Sequence, residues 1–399
     1  MIDVERLERG IEEALSTDIR RHRGTLPPEA AWGEWAGTGP DPIPPGGTAP
    51  LPPGGRHPRR RGTWPTPPPD SPPHQPAPPV GIPPSAPVAP GSPDPALDAL
   101  VLAVAAALEA GDLTAADHHI AEHARAVAVR GGRFDEAEAA SLAAMRALLD
   151  GDGPRARAGA DRLAALARDA GDDELEERWW RQRYWIALHW GDDDERYAVL
   201  DHCRDRAYRG GDLVWRSMLA LFCAHMGRAG EAAREFDAAA GCLGGPPPAG
   251  PALDVATNLA EVAALLGDGP RATAALQALR PLDSGLTVVA GRAEVCKGSL
   301  ARYRALAASA TGRHVEGDRA FEVAVDVHRA QGLRLLLART LVEWAQANRG
   351  RDELRAKALA DEGTGLACSL GVDLAPVAPA PPPSASPWPR PARPGWTVG

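Results

Sequence analysis

From Ala96 onward the chain alternates Ala/Leu-rich runs with short polar breaks, and within each run the apolar positions fall three and four residues apart. That spacing marks one face of a helix. The breaks recur at Gly111, Gly151, Gly191, Gly227, Gly267, Gly312 and Gly350, with spacings of 40, 40, 36, 40, 45 and 38 residues. A second set falls about halfway between them, at Gly131-Gly132, Gly171, Gly210-Gly211, Gly244-Gly245, Gly285, Gly332 and Gly371. Each period therefore holds two helices, as in repeat proteins. The predicted first helices span 96–110, 134–150, 174–190, 213–226, 252–266, 289–310 and 333–348, and each second helix runs on to the next break. Cys242–Pro251, with three consecutive prolines, is the largest internal interruption and is a candidate hinge between four N-terminal and three C-terminal pairs.

Alignment on the turn glycine exposes a packing rule. Gly227 is followed by Ala232, Phe236 and Ala239, Gly267 by Ala272, Leu276 and Leu279, and Gly312 by Gly317, Phe321 and Ala324. Offsets of five, nine and twelve place all three on one helix face. Upstream, Leu219, Ala220 and Cys223 match Leu259, Ala260 and Ala263 as the facing stripe. Gly151 (Ala156, Ala160, Leu163) and Gly191 (Arg196, Leu200, Cys203) follow the rule more loosely. The pattern resembles the tetratricopeptide repeat, so the expected fold is all-α: a tetratricopeptide-like α-solenoid of about seven helix pairs.

Proline changes the picture at both ends. Of 41 prolines, 25 lie in 24–95 and nine in 371–399. Such segments lack the apolar content to offset their ordering entropy. The expected organisation is a short amphipathic helix within 1–23 (Ile2, Val4, Leu7, Ile11, Leu15), a disordered Pro-rich linker over 24–95, the repeat domain over 96–370 and a disordered tail over 371–399. Of the net charge of −9, −8 falls in the repeat domain, which argues against nucleic acid as a partner because phosphate neutralisation needs a basic surface. The start Met-Ile-Asp-Val-Glu-Arg lacks the basic and apolar regions of a signal peptide. The most apolar stretch, 96–110, is too short to span a bilayer. Five scattered cysteines suggest neither a disulfide framework nor a zinc module. A cytoplasmic protein without membrane contact is expected.

In the C-terminal third, the run Lys297 to Tyr303, then Ala305–Ala308, Gly312-Arg313, Phe321-Glu322 and Leu337 to Leu341 resembles the helical-repeat tail of actinobacterial LuxR-type and maltose-regulator-like signal-transduction ATPases. The resemblance implies a part that senses an inducer or partner for a larger regulator. The chain departs from that family in having no Gly-x-x-x-x-Gly-Lys-Ser/Thr phosphate loop and no basic helix-turn-helix segment. The nearest fragment, Cys296-Lys297-Gly298-Ser299, has the wrong order and is predicted to lie in a helix.

Two constellations carry candidate chemistry. His119, Glu122 and His123 spell the inverted zinc-protease spacing, but no third ligand can be identified, and His123 stands at a repeat offset elsewhere filled by Ala or Leu. The densest aromatic cluster supplies the candidate partner-binding residues Trp179, Trp180, Arg181, Arg183, Tyr184 and Trp185, although Trp179, Ile186 and Trp190 also follow core spacing. Carboxylates flank the cluster and repel phosphate. No nucleophile elbow occurs. Cys296 beside Lys297 has either a lowered pKa or the inert environment of a buried helix. The sequence thus favours a non-catalytic scaffold for a protein, a peptide or a small-molecule inducer, with no cofactor, binding on a concave face of first helices. The alternatives are the sensing part of a LuxR-type regulator without its own effector domain and, more remotely, a zinc hydrolase.

Overall fold

The computed structural model describes residues 95–283, 285–372 and Leu374. The expected N-terminal helix, proline-rich linker and C-terminal tail lie outside the described residues, apart from a few positions at their inner edges. Among the described residues fourteen α-helices form seven consecutive pairs. They are α1 (Pro95–Glu109) with α2 (Leu113–Arg130), α3 (Arg133–Asp150) with α4 (Gly153–Ala170), and α5 (Asp173–Trp190) with α6 (Asp193–Arg209). Next come α7 (Leu213–His225) with α8 (Ala229–Ala239) and α9 (Pro251–Leu266) with α10 (Gly269–Leu279). The last two pairs are α11 (Leu300–Ala310) with α12 (His314–Ala330) and α13 (Arg334–Asn348) with α14 (Glu353–Ser369).

Gly-Asp dipeptides punctuate this array for a local reason. At Gly151 the backbone turns left-handed (φ +74°), which closes α3, and Asp152 then accepts the Arg155 amide at 3.0 Å to open α4. Glycine takes that conformation without a Cβ clash, and the carboxylate satisfies an amide that the helix leaves unpaired. Seven of the helices begin on such an aspartate. Gly191 is the exception: its φ is −74°, and a Cβ there would stand 2.6 Å from the Ala187 carbonyl oxygen, so that position needs space rather than a left-handed turn.

The packing rule holds in three dimensions. Ala232, Phe236 and Ala239, Ala272, Leu276 and Leu279, and Phe321 and Ala324 are all buried, as are Leu219, Ala220, Cys223, Leu259, Ala260 and Ala263. First helices lie inside, and second helices expose one flank. In α9 every residue from Val255 to Ala263 is buried, whereas α10 buries five of its eleven. The Cys242–Pro251 interruption does not divide the array, because residues on both sides, including Phe222, Phe236, Val262 and Leu276, belong to one apolar core.

One predicted element is overturned. The segment 289–310 is not a single first helix: strands β1 (Thr287–Ala290) and β2 (Val295–Ser299) form an antiparallel hairpin, and α11 begins only at Leu300. Val289, Ala293, Cys296 and Leu300 have helical spacing, but β-branched Thr287, Val288, Val289 and Val295, with glycines at 291 and 298, favour strands and a turn. The hairpin packs inside the array and joins its two ends. Ala293 and Cys296 share an apolar cluster with Val101, Val104 and Leu108 of α1, Met145 of α3 and Leu336 of α13. The end of α14 also returns to the earlier pairs, where Trp190 Nε1 donates to the Leu370 carbonyl at 3.1 Å.

Candidate functional site

The inner face is polar, and its polar groups are buried. Two ladders of side chains cross it from helix to helix. In one, Gln182 of α5 donates to Ser141 Oγ of α3 at 3.0 Å, and Asn258 of α9 donates to Ser217 Oγ of α7 at 2.9 Å, each partner 41 residues away. The other is charged. Glu261 of α9 receives His225 Nε2 of α7 at 2.9 Å and Arg302 Nη1 of α11 at 2.9 Å, together with a short contact from Arg339 of α13. Arg302 also reaches Glu343 of α13, with Nε to Oε2 at 2.7 Å. Burial raises the Glu261 carboxyl, but Arg302 and Arg339 outweigh it and hold the group well below the usual carboxylate range.

The hairpin locks into both ends of this network. In β2, Lys297 is an extra residue: Val288 pairs with Gly298 and the next residue, Val289, with Cys296. Such a bulge re-aims its side chain. Here it carries Lys297 Nζ to Asp254 Oδ1 (2.6 Å), Thr257 Oγ1 (2.7 Å) and Asn258 Oδ1 (2.7 Å), between the rings of Trp185 and Tyr303. Burial pulls the ammonium pKa down while Asp254 opposes the shift. Gly298 follows at φ +79°, where a Cβ would lie 2.5 Å from His328 Nε2. That nitrogen accepts the Ser299 amide at 2.9 Å, and Ser299 Oγ in turn caps α11. The Lys-Gly-Ser fragment is thus a strand-to-helix joint. At the hairpin tip, Glu294 receives Arg181 Nη1 at 2.8 Å, its carbonyl accepts from Gln182, and Arg292 pairs with Asp98 of α1.

The six aromatic-cluster residues do not share one surface. Tyr184 is wholly buried and donates to the Met218 carbonyl at 3.2 Å, and Trp185 is buried facing Lys297. Arg181 holds the hairpin, while Arg183 pairs with Glu195, which Arg157 of α4 also engages. Trp179 packs against the cluster of Ala137, Leu163 and Leu175, and Trp180 stacks on His202 at 4.0 Å between ring centroids. Only Trp179 and Trp180 of the four aromatics keep partial exposure.

The remaining candidates are also accounted for in place. His118 and His119 stand 3.4 and 3.8 Å from Glu122, whereas His123 is buried with neither ring nitrogen partnered, its pKa lowered by desolvation. Among the described residues no group of three or more His, Cys, Asp or Glu side chains is placed to hold a metal ion. The five cysteines are free, and four are buried. Cys296 lies in a strand rather than a helix, and burial pushes its thiol up to about 11, so Lys297 does not activate it. No described helix is long and apolar enough to cross a membrane. No protein-family model matches the chain, and no curated protein or solved structure shows significant similarity to it.

The ladders are absent from the glycine alignment because they run out of phase with it. Glu261, Arg302 and Glu343 repeat at intervals of 41, yet stand six, ten and seven residues before their turn glycines. The constant interval was the available signal.

Proposed function

We propose that this protein is a non-catalytic, tetratricopeptide-like scaffold of a regulatory pathway that binds a protein or peptide on the outward flanks of its second helices. The supporting observation is the filled inner face. Arg302, Arg339, Glu261 and Lys297 are 0 to 3 % exposed, and their charges are spent on one another and on Asp254 and Glu343. A peptide could enter there only by displacing buried ion pairs, and stranding one partner of such a pair costs about 3–5 kcal/mol. The outer flanks carry no such penalty. We place the protein in the cytoplasm, where its five free thiols stay reduced.

The test uses the full 399-residue chain as bait in an extract of its own host, beside an unrelated helical-repeat bait. A discrete protein that is enriched on this bait alone, and binds again after purification, supports the scaffold. No reproducible enrichment, and no binding by any purified candidate, overturns it.

A second reading, the inducer-sensing part of a larger regulator, is favoured by buried polar atoms of the inner face and its hairpin that have no protein partner. These are Gln182 Oε1, Thr287 Oγ1 and Arg339 Nη1. A small polar inducer reaching them would supply the missing partners. A metabolite that raises the unfolding midpoint by several degrees, with the increment lost in Gln182→Leu, supports this reading. A flat response across a polar metabolite library counts against it.

A further inference from the structure

Building on the scaffold reading, we propose that the groove beside α12 docks an acidic, aliphatic segment of a partner protein. The seams between neighbouring second helices are bridged by charge almost throughout. Arg157–Glu195 joins α4 to α6, Arg204–Glu231 joins α6 to α8, and Arg271–Asp237 joins α8 to α10. Between α12 and α14, with the turn that leads into α14, three bridges stand in a row: Asp318–Arg351, Glu322–Arg355 and Arg329–Glu362.

At the α10/α12 seam the shorter helix runs out early, eleven residues against seventeen. Helix α10 ends at Leu279, and Arg280 makes the one bridge, to Glu316 at 2.7 Å. A groove of about 470 Å³ opens along this flank of α12, lined also by Ala301 and Arg304 of α11. That volume lies in the range of pockets that bind small ligands or a few side chains.

The lining specifies what would fill the groove. Val315, Arg319 and Val323 follow one another at intervals of four along α12, with Ala320 beside them. Val315 is 67 % exposed and Val323 39 %, so a single stripe presents two valines on either side of a guanidinium. Among the described residues no carboxylate forms an ion pair with Arg319 or Arg304. Glu316, the one acid at the groove, is bridged by Arg280 and Arg313 and also attracts Arg304. Arg304 is half-buried: its Nε is out of solvent without a partner, and its Nη1 reaches only the Leu282 carbonyl at 3.5 Å. In a domain that carries most of a net charge of −9 and pairs most of its arginines, one guanidinium without a carboxylate and a second that shares Glu316 with two other arginines, set around an apolar strip, complement carboxylates spaced among aliphatic side chains.

The experiment pans a random twelve-residue display library against the full chain, then against Arg319→Glu and Arg304→Glu/Arg319→Glu. Arg319 is exposed, so its single variant leaves the fold intact, which circular dichroism verifies. The expected result is a consensus with at least two carboxylates and two aliphatic residues. As a synthetic peptide it should bind the native chain at least tenfold more tightly than Arg319→Glu, more weakly as salt rises, and not at all to the double variant. A consensus that persists on both variants sinks the groove but leaves the scaffold standing, whereas no consensus on the native chain counts against both. A basic or purely apolar consensus overturns the stated chemistry. So does a concentration-dependent dimer that Arg319→Glu abolishes, since the occupant would then be a second copy.

Discussion

Around Glu261, side chains from four helices neutralise one another out of solvent, whereas beside α12 the exposed Arg319 has no carboxylate in an ion pair and Arg304 of α11 shares Glu316 with two other arginines. Both regions lie within the last three helix pairs and their neighbours, so the contrast is one of depth. Buried ion pairs seldom add stability over a well-packed apolar core, because desolvation cancels the Coulomb gain. What the inner network gains is register. Each partner is correct only if α7, α9, α11 and α13 sit at the proper height relative to one another, and Lys297 sets the hairpin against α9 in the same way. A surface guanidinium fixes no register and stays available to a partner.

The sharpest way to break this comparison is to remove the hub. Glu261→Ala leaves Arg302 and Arg339 buried and short of a counter-charge, and should cost about 3–5 kcal/mol in urea unfolding. A loss below about 1 kcal/mol would mean that water or rearrangement solvates the inner face and that it is not a locked frame.

Proton uptake probes the same depth. Burial, with Arg302 adding to it, lowers His328 to about 3, and burial lowers His202 to about 4. His189 also lies well below its ordinary value. These rings are neutral in the folded chain, but in the unfolded chain they take up protons near pH 6.5. Their contribution is therefore present above pH 6.5 and is lost as pH falls toward 3. His328 alone should account for about 3 kcal/mol between pH 6.5 and 4. In His328→Gln the slope of stability against pH over that window should shrink by close to one proton; an unchanged slope would mean that the ring is not held neutral.

The bulge is the next test. A Cβ at position 298 meets His328 Nε2 at 2.5 Å in a left-handed backbone, so Gly298→Ala should cost about 2 kcal/mol. Gly350→Ala, also left-handed at φ +74° but with open space around it, should cost about 1 kcal/mol. Equal losses at the two positions would remove the joint's special status.

These outcomes bear on what the chain discloses before it folds. The number of helix pairs and the buried positions after Gly227, Gly267 and Gly312 were legible, because helical periodicity and left-handed turns are local properties. The hairpin was not. Four residues at helical spacing concealed two strands whose pairing, and whose burial between α1 and α13, are settled by partners far away in sequence. For the same reason the aromatic cluster looked like one surface, although Tyr184 and Trp185 face inward and Trp180 turns to His202. The ladders were in principle visible at their 41-residue interval, but the first helices continue for different lengths after the ladder residue, eight residues beyond Arg302 against five beyond Glu261 and Glu343, which moved them out of phase with the obvious marker.

The smallest expected effect closes the comparison from the outside. Arg355 and Glu322 meet at 2.9 Å across the α12/α14 seam with side chains 37 and 55 % exposed, a pair formally like those at Glu261. There, water and salt screen the attraction, and ordering two long side chains opposes it, so exposed pairs contribute about 0.2–1 kcal/mol at most. Glu322→Ala should therefore cost under about 0.5 kcal/mol in urea unfolding, and less at high salt. If it matched Glu261→Ala, charge pairing alone would hold the array together, and depth would not separate the inner frame from its outer flanks.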